Sequence, residues 1–132
     1  MGYISIERKN NYAIATINRP KVNAINLQMV NEIRETFKTL GADETVKGVI
    51  LIGSPGYFSA GLDLIELYEY DEAKITEFMI GFGSMYVELA SFKKPFIAGI
   101  TGHSPAGGAV IAIASDYRVM AEGEKYSIGL KE

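Results

Sequence analysis

Two glycine-containing segments hold the residues of this sequence that are best suited to chemistry. They are GSPGYFSAGLDL, residues 53–64, and GITGHSPAGGAV, residues 99–110. Glycine allows a ligand to approach the backbone closely and permits positive φ angles. A glycine turn that leads into a helix can present free backbone N–H groups, which attract an oxyanion or a phosphate. The occurrence of two such segments favours anion binding over the alternative that the glycines only shape the turns.

Three established kinds of glycine-rich site differ from these segments. A Walker loop requires Gly-Lys-Ser/Thr, and a Rossmann fingerprint requires G-x-G-x-x-G after the first strand; the sequence contains neither. A serine hydrolase requires G-x-S-x-G and a separate histidine base. Ser104 lies between Gly102 and Gly107, one residue too far apart, and the only histidine, His103, adjoins it in sequence. A serine peptidase is therefore a weak alternative.

The strands that position these segments are predicted from the apolar pattern. Alternating residues, such as Ile4 and Ile6, are typical of half-buried strands, and short apolar runs beside glycine are typical of buried parallel strands. These patterns predict strands at residues 3–7, 12–17, 48–53, 95–100, 116–121 and 125–129. Each glycine segment follows one of the two buried strands, so both segments are expected at strand ends.

Helices are predicted where apolar residues recur every three or four positions. Residues 27–40 form one helix, with Asn26 as its N-cap and Gly41 just past its end. Residues 71–92 form a second helix that two glycines weaken at its centre. Residues 106–115 form a third, opened by Pro105 and the glycines. Strands that alternate with helices predict an α/β fold with a largely parallel sheet.

Composition limits the class of protein. The 132 residues are 48% hydrophobic, which suits a single folded domain, and the net charge of −3 without a basic stripe argues against nucleic acid as a partner. The absence of cysteine excludes a disulfide framework, a thiolate nucleophile and a cysteine metal site. No apolar run suggests a signal peptide or a membrane span. We therefore expect a cytoplasmic protein that does not interact with membranes.

The order and spacing of three segments resemble the crotonase (enoyl-CoA hydratase/isomerase) superfamily. The segments are NRPKVNAIN at residues 18–26, GVILIGSPGYFSAGLDL at residues 48–64, and residues 94–132. Within the superfamily, FSAGLDL, SPAGG and YSIGLKE are most similar to the 3,2-enoyl-CoA isomerases. The resemblance implies a spiral core of ββα units with helices outside largely parallel sheets. Since family members are roughly twice as long, residues 1–132 are expected to be the N-terminal part of the core, without the C-terminal helices used in trimerisation.

The resemblance implies that the backbone of both glycine segments binds substrate. The N–H groups of Leu62 and Gly107 would form an oxyanion hole around the thioester oxygen of an acyl-CoA. Fixed N–H dipoles stabilise the enolate that forms when a proton leaves the alpha carbon, and loss of one donor costs ~3 kcal/mol in barrier height. Ser104 then has no need to react. Coenzyme A and acyl contacts are implied at Lys21, Val22, Ala24, Ala60, Gly61, Asp63, Leu64, Pro105 and Val110.

The carboxylates of the family distinguish hydratases from isomerases. Hydratases use two glutamates to handle water, and at the corresponding positions this chain has Val110 and Glu132. A single base can move a proton between the alpha and gamma carbons without activating water. The resemblance therefore implies an isomerase that converts 3-enoyl-CoA to 2-enoyl-CoA with Glu132 as base. The alternatives are an enoyl-CoA hydratase, another acyl-CoA enzyme of the family, or a non-catalytic acyl-CoA-binding fragment.

Further expectations concern partners and the remaining polar and aromatic residues. Coenzyme A belongs to the substrate, so no cofactor and no metal is expected, and the resemblance implies a homo-oligomer, either a trimer or a dimer of trimers. The 132-residue chain itself is expected to be weakly active, because its base is the last residue and terminal residues fray. His103 is expected to be a structural or rim residue, Asp63 a structural or cap residue, and Asp116 to anchor a turn. Core or acyl-pocket positions are expected for Tyr68, Tyr70 and Phe78.

Overall fold

Strands and helices alternate along residues 2–130, the part of the chain that the computed structural model describes. The strands are β1 (Ile4–Arg8), β2 (Ala13–Ile17), β3 (Val49–Ile52), β4 (Gly56–Tyr57), β5 (Phe96–Ile100), β6 (Gly102–Pro105), β7 (Tyr117–Met120) and β8 (Ile128–Gly129). The helices are α1 (Leu27–Ala42), α2 (Leu64–Tyr68), α3 (Glu72–Ala90) and α4 (Gly107–Ile113). The predicted base, Glu132, lies outside the described residues.

The strands form two sheets. The larger has the order β1-β2-β3-β5-β7 and the smaller the order β4-β6-β8. Only the β1–β2 hairpin is antiparallel among the pairs of named strands in the described chain, and the other pairs are parallel. The prediction of an α/β fold with largely parallel sheets is confirmed. Because β3 and β5 are adjacent and parallel, their carboxyl ends bring the two glycine segments to the same edge of the sheet.

The main core lies between the larger sheet and the helices α1 and α3. Every second residue of β2, β3 and β5 is buried, which is the period of a strand with one face on the core. Helix α1 contributes Met29, Val30, Ile33, Phe37 and Leu40. Helices α1 and α3 approach closely at Gly81, where a Cβ atom would lie 3.3 Å from Val30 Cγ1. Asp116, which was expected to anchor a turn, accepts from Phe96 N–H at 2.8 Å and so anchors the start of β5.

Several boundaries differ from the prediction for identifiable reasons. Gly41 lies inside α1 and not past its end, because the helix is capped two residues later by Asp43, whose N–H donates to Leu40 O. The ring of Phe92 packs against Gly41, 3.2 Å from where a Cβ would be. Pro105 ends strand β6 and does not open a helix. Residues 125–129 form a strand only at Ile128 and Gly129. Ile6 is exposed, because β1 is an edge strand of the larger sheet.

Candidate active site

The first glycine segment becomes a tight turn before α2. Gly61 has a φ of +99°, which glycine adopts without strain. Two hydrogen bonds fix the backbone on either side of Leu62: Ile25 N–H donates to Gly61 O at 2.8 Å, and Asp63 N–H donates to Ile25 O at 2.9 Å. Within residues 2–130, Leu62 N–H itself has no hydrogen-bond partner. The turn therefore holds one amide in a fixed place without using it.

The second glycine segment turns between β6 and α4. Ala106 adopts φ +49° and ψ −114° as the N-cap of α4, and its N–H donates to Gly129 O at 2.7 Å. This conformation costs of the order of 1–3 kcal/mol for a residue with a side chain. Gly107 is the first residue of α4, and its N–H donates to no other described residue. A second amide is thus left unused at the start of a helix.

The two turns are in contact with each other. A Cβ atom on Gly61 would lie 3.4 Å from Gly107 N, and a Cβ atom on Gly107 would lie 3.4 Å from both Gly61 Cα and Leu62 Cδ2. The structure therefore brings together the segments that carry the predicted donors, Leu62 and Gly107, from positions far apart in sequence. Two amide donors on adjacent turns are the arrangement that stabilises a developing oxyanion.

Ser104 lies in a position that does not suit a nucleophile. Its side chain is fully buried on β6, and its Oγ has no hydrogen-bond partner within the described part of the chain. Gly108 is packed against it, and a Cβ on that glycine would lie 2.9 Å from Ser104 Oγ and would overlap Ser59 O. A substrate carbonyl cannot reach this hydroxyl without displacing α4. The structure thus argues against the serine peptidase.

His103 lies beside two tyrosine rings. Its ring centroid lies 5.2 Å from that of Tyr57 and 5.2 Å from that of Tyr126. Since successive side chains of a strand point to opposite faces, His103 and Ser104 face away from each other. The imidazole therefore has no contact with the serine that would make it a base.

The other predicted aromatic residues divide between core and surface. Phe78 is fully buried in the core, and Tyr70 is partly buried with its hydroxyl hydrogen-bonded to Glu66 Oε2 at 2.7 Å. Tyr68 is 91% exposed, so its prediction as a core residue is wrong, while its place in an acyl pocket stays a prediction. The short helix α2 buries only Leu67 and leaves Tyr68 on its outer face.

The loop between β2 and α1, residues 18–26, lies beneath the first turn. Ala60 N–H donates to Val22 O at 2.9 Å, so this loop contacts the backbone just before Gly61. Asn23 is buried in a left-handed conformation, and its Nδ2 contacts four acceptors: Ile17 O, Ser54 Oγ, Tyr57 O and Phe58 O. Sequence reasoning missed this role, although asparagine is a common residue in that conformation. Lys21 is exposed and Ala24 half-buried on the same loop.

A charged cluster joins this loop to α2. Arg19 Nη1 donates to Asp63 Oδ2 at 2.8 Å, and Arg19 Nη2 donates to Glu66 Oε1 at 3.1 Å. Burial alone would raise the pKa of Asp63. The hydrogen bond from Glu66 N–H and the Arg19 guanidinium have the larger combined effect, so the pKa of Asp63 lies below its usual value. Burial likewise raises the pKa of Glu66, and hydrogen bonds from Asn26 and Tyr70 with the Arg19 charge lower it overall. Both carboxylates are therefore held ionised. Asp63 is the N-cap of α2, as predicted, and its contact with coenzyme A stays a prediction.

Cavity size does not identify the site. A groove of ≈ 790 Å³ between α1 and α3 contains none of the predicted substrate-binding residues.

Within residues 2–130, no group of three His, Cys, Asp or Glu side chains could hold a metal ion. None of the helices described within residues 2–130 could span a bilayer. The two contacting turns therefore remain the candidate site on their own geometry. Val110 lies half-buried one helical turn beyond Gly107 along α4.

Named relatives match nearly the whole chain. "Enoyl-CoA delta isomerase 1, mitochondrial" of Mus musculus is 38% identical over 121 residues, covering 91% of this chain and 42% of the mouse protein. "Probable enoyl-CoA hydratase echA8" of Mycobacterium leprae is 34% identical over 127 residues, covering 93% of this chain and 48% of that protein. The chain thus spans about half the length of the curated relatives it matches. A cytoplasmic location stays a prediction, since the mouse relative is named as mitochondrial.

Solved structures confirm the crotonase-type fold. The crystal structure of human mitochondrial delta3-delta2-enoyl-CoA isomerase matches with a TM-score of 0.93 and 30% identity, covering 97% of this chain and 51% of the human one. The crystal structure of a "putative enoyl CoA hydratase/isomerase (crotonase)" from Legionella pneumophila matches with a TM-score of 0.83 and 26% identity, covering 91% of this chain and 48% of that one. The family model described as enoyl-CoA hydratase/isomerase matches residues 7–132. The chain therefore belongs to the enoyl-CoA hydratase/isomerase family.

Proposed function

We propose that this protein converts a 3-enoyl-CoA to the 2-enoyl-CoA through a thioester enolate. The observation that carries the proposal is the contact between the Gly61–Leu62 turn and Gly107, with both amides unused by the described protein. Removal of the alpha proton moves negative charge onto the thioester oxygen. Two fixed N–H donors on that oxygen lower the barrier, and each such donor is worth ~3 kcal/mol.

The proton transfer needs one base. In the proposed reaction the base takes a proton from the alpha carbon, the double bond moves into conjugation with the thioester, and the proton returns at the gamma carbon. We assign this role to Glu132, on the family resemblance of the segment that ends there. Val110 places an apolar side chain where the hydratases of the family have their second glutamate. This difference favours the isomerase over a hydratase, which must activate water with two carboxylates.

A hydratase is the second candidate, because relatives named as enoyl-CoA hydratases match as well. The two activities differ in ultraviolet absorbance. Isomerisation of a 3-enoyl-CoA creates the conjugated thioester and raises the absorbance, whereas hydration of a 2-enoyl-CoA removes the conjugation and lowers it. We expect the intact protein to raise the absorbance of a 3-enoyl-CoA and to hydrate a 2-enoyl-CoA slowly. Rapid hydration without a double-bond shift would establish the hydratase instead.

Substrate binding and assembly are part of the same proposal. The loop that carries Lys21, Val22 and Ala24 contacts the backbone at Ala60, so these residues lie next to the first turn and are proposed to hold coenzyme A. Leu64 is 63% exposed at the start of α2, where an acyl-CoA could cover it. Coenzyme A enters as part of the substrate, and no separate cofactor is proposed. A homo-oligomer is proposed for the intact protein on the family resemblance alone.

A further inference from the structure

One guanidinium connects the loop before α1 with the start of α2. Arg19 Nη1 donates to Ala24 O at 2.9 Å and to Asp63 Oδ2 at 2.8 Å, and Nη2 donates to Glu66 Oε1 at 3.1 Å. The side chains of Arg19 and Asp63 are 19% and 18% exposed, so water screens this pair less than it screens a surface pair. The Arg19 guanidinium also lies over the Tyr3 ring, 5.3 Å from its centroid. The arginine is thus held from several sides.

These contacts lie on both backbone segments that hold Leu62. Asp63 follows Leu62 directly, and its Oδ1 accepts from Glu66 N–H at 3.0 Å while its Oδ2 accepts from Arg19. Ala24 precedes Ile25, whose N–H and carbonyl make the two hydrogen bonds that flank Leu62. Arg19 therefore fixes the distance between the segment that carries the Leu62 amide and the segment that supports it.

Hydrogen bonds connect the charged cluster to the start of α1, and they pair the carboxylate of Glu66. Glu66 Oε1 also accepts from Asn26 Nδ2 at 3.0 Å, and Glu66 Oε2 accepts from the Tyr70 hydroxyl at 2.7 Å. The Tyr70 oxygen in turn accepts from Leu27 N–H at 3.0 Å. Since each of these groups already has a partner in the protein, none is suited to react with substrate. Their effect on the reaction must come through geometry.

We propose that Arg19 is a positioning residue for the Leu62 amide; this inference rests on the proposed function. Leu62 N–H has no described partner to aim it, so its direction is set by the bonds on either side. An oxyanion donor must lie 2.7–3.1 Å from the oxygen as charge develops, and a displacement of ~1 Å can cost ~100-fold in rate. The planar guanidinium of arginine can donate to three acceptors at once in a fixed geometry. A lysine ammonium on its flexible stem does not reproduce that geometry.

The test compares Arg19→Gln and Arg19→Lys with a matched control, Arg34→Gln, in the intact protein. Arg34 also makes a two-bond pair with a glutamate, Glu88, at 2.9 and 2.7 Å, but it joins α1 to α3. With a 3-enoyl-CoA, we expect Arg19→Gln to lower kcat about 10- to 100-fold with KM changed less than about 3-fold. Arg19→Lys should fall between Arg19→Gln and the wild type, and Arg34→Gln should stay within about 2-fold of it.

A second readout separates positioning from loss of stability and from failure of the proposed function. In folded Arg19→Gln protein, the amide resonance and hydrogen exchange of Leu62 should change, while those of Gly83 on α3 stay the same. If Arg19→Gln does not fold, Asp63→Asn serves instead, since its side-chain oxygen can still accept from Glu66 N–H. An unchanged Leu62 amide, or a kcat loss matched by Arg34→Gln, would overturn the proposal. A wild-type protein without isomerase activity would refute the proposed function, and the Leu62 readout would still decide the positioning.

Discussion

At the scale of single residues, the candidate site depends on positions that only glycine can occupy. Gly61 is required by its positive φ, and Gly108 by the backbone and hydroxyl packed against it. The glycines could be recognised in the sequence because each glycine segment follows an apolar strand. The role of Arg19 could not be recognised in this way. Its partners Asp63 and Glu66 lie 44 and 47 residues further along the chain, and no local sequence pattern marks such pairs.

Gly108→Ala tests the packing of the second turn. The added Cβ would overlap Ser59 O and approach Ser104 Oγ, so we expect a loss of ~1–3 kcal/mol in the free energy of unfolding. Gly83→Ala on α3 is the control, because nothing lies within 4 Å of its added Cβ. That substitution should raise stability by up to ~1 kcal/mol through helix propensity. Urea denaturation measures both, and equal effects of the two variants would contradict this account of the turn.

Ser104→Ala tests whether the buried serine reacts. Its hydroxyl has no hydrogen-bond partner among residues 2–130, and it is fully buried. Removal of an unsatisfied buried polar group should raise the free energy of unfolding by ~1 kcal/mol, and isomerase turnover should change less than about 3-fold. Steady-state assays and thermal unfolding of the variant supply both numbers. A loss of several orders of magnitude in turnover would restore the serine as nucleophile.

At the scale of elements, the long and periodic segments could be predicted and the short ones could not. Helix α1 begins where Asn26 predicts it, with Met29 N–H bonded to Asn26 Oδ1 at 2.9 Å. Strands β4 and β6 were beyond sequence reasoning because they pair with each other across a distant part of the chain, Gly56 with Gly102. A Cβ on Gly102 would overlap the backbone of Gly56, so this pairing needs glycine for a reason that only the fold reveals.

Asp43, the C-cap of α1, should make the stability of the protein depend on pH. Asp43 accepts hydrogen bonds from Thr45 Oγ1 and N–H and from Arg8, which lower its pKa from 3.8 to about 2. Because the folded-state pKa is the lower one, this stabilisation is present above about pH 3.8 and is lost as the pH falls towards about 2. Urea unfolding between these pH values should show a weaker pH dependence for Asp43→Asn than for the wild type. An identical slope in both proteins would show that Asp43 does not contribute.

At the scale of the whole molecule, apolar side chains from several elements remain on the surface. Exposed residues include Ile80 and Val87 of α3, at 66% and 62%, and Tyr117 and Val119 of β7, at 65% and 56%. The chain also spans about half the length of its curated relatives, for example 42% of the mouse isomerase. Large exposed apolar surfaces on soluble proteins usually mark contacts with other protein surfaces. We therefore expect another protein surface to cover these residues.

The exposed apolar residues of the 132-residue chain should make it self-associate. Sedimentation over a range of concentrations should show species larger than 14.4 kDa. A monomer at every concentration would contradict this expectation.

The proposed mechanism depends on an oxyanion hole made by the N–H groups of Leu62 and Gly107. A crystal structure of the intact protein with an unreactive acyl-CoA thioester would show whether both groups bind the thioester oxygen. We predict that the thioester oxygen lies ~3 Å from the backbone nitrogens of both residues, with Val110 and Leu64 beside the ligand and Ser104 out of reach. A thioester oxygen that contacts neither nitrogen, while the acyl-CoA is fully bound, would contradict the account.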